Sequence, residues 1–480
     1  MAIRYGDRQS RTMFPQSVEE YVTSDDPVRV YDAFIESLNL KELGIVLDEN
    51  HVGPPPYDPR AMLKLLVYGP SYGIRTSRLL ERSCYHNFSF IWLMGNLRPD
   101  HKTIANFRRN NIKVLKLILK QCARLCIKLN LIDGNVLFVD GSKFRANASL
   151  NQIWTEDRCK KNLEKLDARI DELLDSCEAI DDAESHMPSL VELKEELRGK
   201  EKLQKKVQAI LQELQAENLK SLNSTDKDSV RTKGRQGSHA GYNAQIVTDE
   251  KLGLIVSSDV VSSSSDYSEF SKQIENAEEV LGKKAEVACA DSGYHQVEDL
   301  EKISSREGDT EVVVPSKRQV GNKEVKAFDK ANFKYDAKNN EYICPEDYRL
   351  KFSQYKKKDN SNEYRMKSPK QCLECRHFGD CTKSKKGRTI RRSVKEELKE
   401  ELEKVYESDK GQKTYELRKQ KVELPFGHIK RNLGAGYFLL RGQDGVNAEM
   451  SVLSTNFNIS RMITTFGVPT LVSMLLNGGI

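Results

Sequence analysis

Two stretches decide how this chain reads: Asn135-Val-Leu-Phe-Val-Asp140-Gly141 and Glu286-Val-Ala-Cys-Ala-Asp291-Ser-Gly-Tyr294. Each is a short apolar run of strand length that ends on an acid followed by turn-forming residues. Between them, Tyr242–Thr248 and Leu254–Val260 read as two more strands turning at Gly253, and 266–281 carries a helical period. The predicted order is strand, strand, strand, helix, strand, with an acid closing the first and the fourth strand. Glu311–Val314 reads as one strand more.

That order is the plan of a ribonuclease-H-like core within a mixed α/β fold. In that plan the first and fourth strands are neighbours, so Asp140 and Asp291 are expected to meet at one end of the sheet. Two carboxylates so placed can hold divalent metals roughly 3.5–4 Å apart, and a sparse set of hard oxygen ligands suits Mg²⁺. A third acid is expected from a downstream helix. The candidate is Glu423, in Tyr415-Glu-Leu-Arg418-Lys-Gln-Lys-Val-Glu423-Leu-Pro-Phe-Gly-His-Ile-Lys430. An Asp before Gly is also an ordinary turn residue, so the ordered set carries the argument and no single acid does.

Further out, residues 17–130 read as short helices. Val18–Leu38 is amphipathic, Pro59 opens a helix after Pro54-Pro55-Pro56, Thr76–Cys84 follows the Gly73 turn, and Asp100 caps a helix running towards Cys126. Exposed Arg on short helices suits a helix-turn-helix reader; a plain helical bundle fits the same pattern. After the first strand, apolar residues recur at Leu163, Leu166, Ile170, Leu173 and Cys177, and again from Leu190 to Leu214. Spacings of three and four predict a helical hairpin or coiled-coil arm. The C-terminal stretch Gly445–Met462 reads as a helix packed on the core. The predicted divisions are 1–130, helical and DNA-binding; 131–150, the first core strand; 151–228, the hairpin insertion; 229–316, the core; 317–395, a basic, loop-rich, Cys-bearing insertion; and 396–480, C-terminal core helices.

The 480 residues, 38% hydrophobic and 31% charged, can build sizeable cores, which excludes a wholly disordered chain. No apolar run is long enough to span a membrane, and Met1–Gln16 is too polar for a signal core. Ten Cys without such a signal are expected to be reduced. A net charge of +6 hides strong asymmetry: Glu156–Glu217 has 17 acidic and 11 basic residues, whereas Tyr348–Ser393 has 4 acidic and 15 basic. The second block suits a polyphosphate partner, or is a solvated Lys-rich loop. Cys344, just before that block, and Cys372, Cys375 and Cys381 within it offer four thiols, a candidate closed tetrahedral zinc site.

The chain resembles DDE transposases of bacterial insertion sequences, in the insertion-sequence-four superfamily and its branch with a cysteine-bearing insert. The resemblance rests on Val139-Asp140-Gly141-Ser142-Lys143, Gly241-Tyr242-Asn243-Ala244-Gln245, Ala290-Asp291-Ser292-Gly293-Tyr294, Val422-Glu423 through Lys430, Leu439-Leu440-Arg441-Gly442 and, upstream, Pro99-Asp100-His101-Lys102-Thr103. It implies that Asp140, Asp291 and Glu423 are the catalytic triad, holding two Mg²⁺ or Mn²⁺. It also implies that Tyr415, Arg418, Glu423 and Lys430 form the Tyr-Arg-Glu-Lys signature. The chain departs from that signature in having four residues, not three, between Arg and Glu.

The expected function is a transposase that binds the terminal inverted repeats of its element, then cleaves and joins DNA. Arg75, Arg78, Lys102, Arg108, Arg418 and Lys430 are the expected DNA contacts. The expected partners are duplex DNA, at element ends and target, and a second copy of the chain, with no membrane and a location on the bacterial nucleoid in the cytoplasm. Two other readings stay open: a nuclease of the same core without strand transfer, and a retired transposase acting as a DNA-binding regulator.

Overall fold

The structure, a computed structural model, describes residues 17–45, 56–182, 187–234, 237–306, 310–320, 327–357 and 360–477, with no side chains described over 178–191. The chain falls into two compact units: Met1–Asp266, Lys272–Ala285 and Arg418–Ile480 in the first, Tyr267–Ser271 and Glu286–Leu417 in the second.

The first unit opens with short helices whose starts follow from their caps. Asp58 accepts the N–H of Arg60, with Pro59 at the first helical position of Pro59–Tyr68. Thr76 caps Ser77–His86, and Asp100 accepts the N–H of Thr103 at 2.7 Å to start His101–Asn110. Two expected helices are broken. Val18–Leu38 is a 3-10 turn at Val18–Tyr21 and a helix at Val28–Glu36, because Asp25-Asp26-Pro27 interrupts it. The helix begun at Asp100 stops at Asn110, where the Asn111 side chain bonds the Phe107 carbonyl at 2.9 Å, and a new helix runs Ile112–Lys128.

The strand Val136–Arg145 pairs antiparallel with Gly237–Asp249, which also pairs with Val230–Gly234 and Ile255–Val261. At Gly241, opposite Arg145, a Cβ would stand 2.5 Å from the Phe144 carbonyl oxygen, so the strands approach there only because the residue is Gly. The expected C-terminal helix is longer, Gly442–Phe466, and a second follows at Val468–Asn477. The first is buried along most of its length, and its polar residues bond backbone. Asn458 donates to the Ile255 carbonyl and accepts its N–H, each at 2.8 Å; Asn456 donates to the Val67 carbonyl at 2.8 Å and accepts the Tyr31 hydroxyl at 3.1 Å. A buried helix can carry such Asn residues only because their amides find partners.

The helical insertion is a hairpin of Glu156–Asp182 and Met187–Ala216; the expected break at 181–188 lies wholly outside the described side chains. Its seam joins Cys159 and Leu166 to Val207, Ile210 and Leu214. Bonds of Glu156 to Gln215 and of Arg169 to Glu196 show the antiparallel register.

In the second unit, Val287–Cys289 and Glu311–Val313 pair in parallel, with the helix Val297–Ser304 between them in sequence. The insertion expected to be loop-rich is instead a five-stranded antiparallel sheet in the order Thr389–Ser393, Ser361–Met366, Arg349–Lys356, Glu341–Ile343, Lys334–Asp336. It has its own core of Phe333, Tyr342, Leu350, Tyr364, Met366 and Ile390. Its strands bury only one or two apolar side chains each among charges, which dilutes the alternation that sequence reading depends on.

Candidate active site

Asp140 does not end its strand: pairing continues through Ser142↔Ala244 to Arg145↔Gly241. It therefore sits mid-strand, and alternation puts Asp140, Ser142 and Phe144 on one face, with Gly141 and Lys143 on the other. The face of Asp140 meets the helix Asp409–Arg431. Arg418 Nη2 lies 3.1 Å from Asp140 Oδ1, and both side chains are largely buried, at 7% and 17% exposure. One turn further on, Val422 is buried, then Phe426 and Ile429 at helical spacing, so Arg418 belongs to the stripe that faces the sheet. Lys430 Nζ donates to Ser142 Oγ at 2.6 Å and to the Lys143 carbonyl at 2.9 Å, and lies 4.6 Å from the centre of the Phe144 ring. Glu423 is exposed on the same helix, seven residues before Lys430 and so on nearly the same side. Pro425, inside the helix, cannot donate to the Lys421 carbonyl, which loosens the turn that carries Glu423.

Asp291, in the second unit, follows Val287–Cys289 and caps the 3-10 turn Ser292–Tyr294, accepting the N–H of Gly293 at 2.7 Å. Tyr294 is fully buried and Tyr415 also lies in that unit.

The opposite face of the first strand holds a cluster that sequence reasoning missed. Asp266 Oδ1 accepts from Asn243 Nδ2 and Gln245 Nε2, each at 2.8 Å, and lies 3.3 Å from Lys143 Nζ. Asn243 and Gln245 are completely buried. Their alternate spacing on a strand opposite Lys143 and Gly141 was the available signal.

The expected DNA contacts divide. Arg78 and Lys102 are exposed. Arg75 is buried: it pairs with Glu449 at 2.9 Å, donates to the Tyr437 and Gly434 carbonyls, and stacks 4.8 Å from the Tyr437 ring. Arg108 donates to the Arg75 carbonyl at 2.9 Å. Burial raises the Glu449 carboxyl above its usual range, opposed by the N–H groups of Leu440 and Leu439 and by Arg75. These two arginines hold the helical region together in this structure.

Cys344, Cys372, Cys375 and Cys381 line one cavity beside the sheet core, with His377. The Arg388 N–H points at Cys372 Sγ, 3.5 Å away. Burial raises the Cys344 and Cys381 thiols. Among the described residues no group of three or more His, Cys, Asp or Glu is gathered as around a metal ion. No single described helix is long and apolar enough to cross a membrane, although the bent pair Gly442–Phe466 and Val468–Asn477 passes by length and composition; most of the first is core.

Residues 343–463 match the Transposase DDE domain, and residues 16–110 match a second family described as a transposase domain, DUF772. The matches support a DDE transposase of an insertion sequence. The DDE match contains Arg418, Glu423, Lys430 and the four Cys, and begins beyond Asp140 and Asp291. The transposase match upstream covers the capped helices that carry Arg78 and Lys102. No curated protein and no solved structure matches significantly.

Proposed function

We propose that this transposase cleaves DNA at the ends of its element and joins the freed ends to a target, using Asp140, Asp291 and Glu423 as one carboxylate set on a ribonuclease-H-like core. The observation that carries the proposal is the seating of Asp140 against the Glu423 helix through Arg418, inside a chain with two transposase matches. The all-oxygen donor set fits Mg²⁺ or Mn²⁺, which when bound would supply Lewis-acid activation of water and stabilise the in-line displacement.

The chain's own residues have separable tasks. Arg418 holds the Asp140 carboxylate in one orientation and offsets its charge. Lys430, anchored on Ser142, places a cation two residues along the strand from Asp140 and on its face, where it would meet an incoming phosphate. Arg78 and Lys102 stand exposed at the starts of two capped helices and suit contacts to the repeat, whereas Arg75 and Arg108 are left out of the DNA-contact set. The hairpin 156–216, acidic on its surface, suits contact with a second copy better than contact with DNA.

The test is cleavage and joining of a duplex carrying the inverted repeat that flanks the gene. Asp140→Asn, Asp291→Asn and Glu423→Gln should each abolish product while leaving duplex binding within a few-fold. Full cleavage by any one variant removes that residue from the set. Cleavage without joined product would favour the nuclease reading.

A further inference from the structure

The strand Arg349–Lys356 carries no acid, and neither does the stretch 348–358 around it, which reads Tyr-Arg-Leu-Lys-Phe-Ser-Gln-Tyr-Lys-Lys-Lys. Two of its aromatics are exposed although they lie in a regular strand: Phe352 at 47% and Tyr355 at 51%. Three residues apart, they would ordinarily point to opposite faces. The register shows why they do not. Phe352 pairs with Tyr364 and Tyr355 with Asn362, with a bulge between Phe352 and Gln354. Tyr364 and Asn362 are two apart on a regular strand and share a face. The bulge therefore returns Tyr355 to the face of Phe352, which is what bulges do when they re-aim a side chain.

Each ring is steadied without being covered. Phe352 stands edge-on to the buried Tyr364, ring centres 6.1 Å apart, and the Tyr355 hydroxyl donates to Asn360 Oδ1 at 2.8 Å. Lys351, Phe352, Tyr355 and Lys357 are all exposed along this strand and its end. Of the acids on the neighbouring strands, Glu341 lies opposite Lys351 and Glu363 opposite Gln354, and both are buried. Exposed rings cost solvation, so a pair aimed to one side by a bulge, on a strand whose own charges are all positive, marks a surface built to meet something flat and anionic.

We propose that this strand is a stacking platform for single-stranded DNA, with Phe352 and Tyr355 each receiving a base and Lys357, two residues beyond Tyr355, meeting the phosphates. The proposal rests on the DNA-processing reading above and adds the form of DNA. The two ring positions are about 7 Å apart along the strand, two residues' rise. Stacked bases of a duplex are only 3.4 Å apart and turn their faces to one another. Separated rings on an open sheet can therefore engage only bases that have left the stack. Such strands arise at an element end during cleavage and joining.

The experiment uses the full chain carrying Asp140→Asn, so that probes stay intact, with labelled oligothymidylate and a duplex bearing the inverted repeat. Phe352→Ala with Tyr355→Ala should weaken oligothymidylate binding about tenfold or more and change duplex affinity less than twofold. Phe352→Trp should keep the affinity, and its fluorescence should fall on adding oligothymidylate. Lys357→Gln should flatten the salt dependence of single-strand binding. Unchanged oligothymidylate affinity in the double Ala variant, with native circular dichroism, overturns the platform and leaves the transposase reading standing. So does a double Ala variant that alters self-association and not DNA binding, which would assign the rings to a protein contact. A chain that binds neither probe overturns both readings.

Discussion

The ion pair of Arg418 with Asp140 ties the helix of Glu423 to the strand of the first acid. Replacing Arg418 by Gln leaves the Asp140 carboxylate, itself only 17% exposed, without its cation. Stranding one partner of a fully buried pair costs about 3–5 kcal/mol. Some water reaches Asp140, so a loss of about 2–3 kcal/mol is the better expectation here. For the first unit that corresponds to a fall of roughly 3–4 °C in its melting midpoint. Asp140→Asn alone should cost less, since a neutral amide can still accept from the guanidinium. In the Asp140→Asn background the further change Arg418→Gln should cost well under half of what it costs in the native chain. The assay is a double-mutant cycle read by thermal melting with far-ultraviolet circular dichroism, which separates the pairwise term from the general effect of removing a buried arginine. Arg418→Lys should recover part of the stability and little of the cleavage, because Lys is a point charge that cannot fix the carboxylate's plane. If Arg418→Gln costs the same with Asp140 and with Asn at that position, the two side chains do not act on each other and the orienting role given to Arg418 is wrong.

Two further outcomes are expected. The soft thiol set Cys344, Cys372, Cys375 and Cys381 should take one structural Zn²⁺ per chain once drawn together around it; Cys372→Ser with Cys375→Ser should then make residues 348–393 protease-sensitive, and less than about half a zinc per untagged chain by elemental analysis, with the thiols reduced, refutes it. Burial lowers the pKa of His428 and of His239, the latter also through Arg145 and Lys430. A depressed folded-state pKa gives stability that is present above the unfolded value and lost as pH falls, so the melting midpoint should drop below about pH 6.5. His428→Gln should flatten that acid limb, and an acid limb unaltered in the variant would exclude His428 as a source.

What could be read from the sequence, and what could not, divides by the range of the interactions involved. Caps at Asp58, Thr76 and Asp100 act over three residues, and the hairpin seam over three or four, so their chemistry is written locally and the helices begin where it says. The strand through Asp140 was read as ending there because Asp-Gly is a turn signal; it continues because Ala244 and Gly241, a hundred residues away, supply the partners. The basic insertion lacked a visible core because each of its strands contributes only one or two buried apolar side chains, which become a core only after five strands are laid side by side. Arg75 is the sharpest case. An arginine next to a capped helix in a basic chain reads as a phosphate contact, yet its charge is met by Glu449, 374 residues further on. Local sequence shows the sign of a charge and not whether it is already answered. Exposure therefore has to be established before a cation is assigned to DNA. By that criterion Lys102 and Arg78 stay in the proposed contact set, whereas Lys430, half-buried and bonded to Ser142 and the Lys143 carbonyl, and Arg418 leave it for roles inside the proposed site.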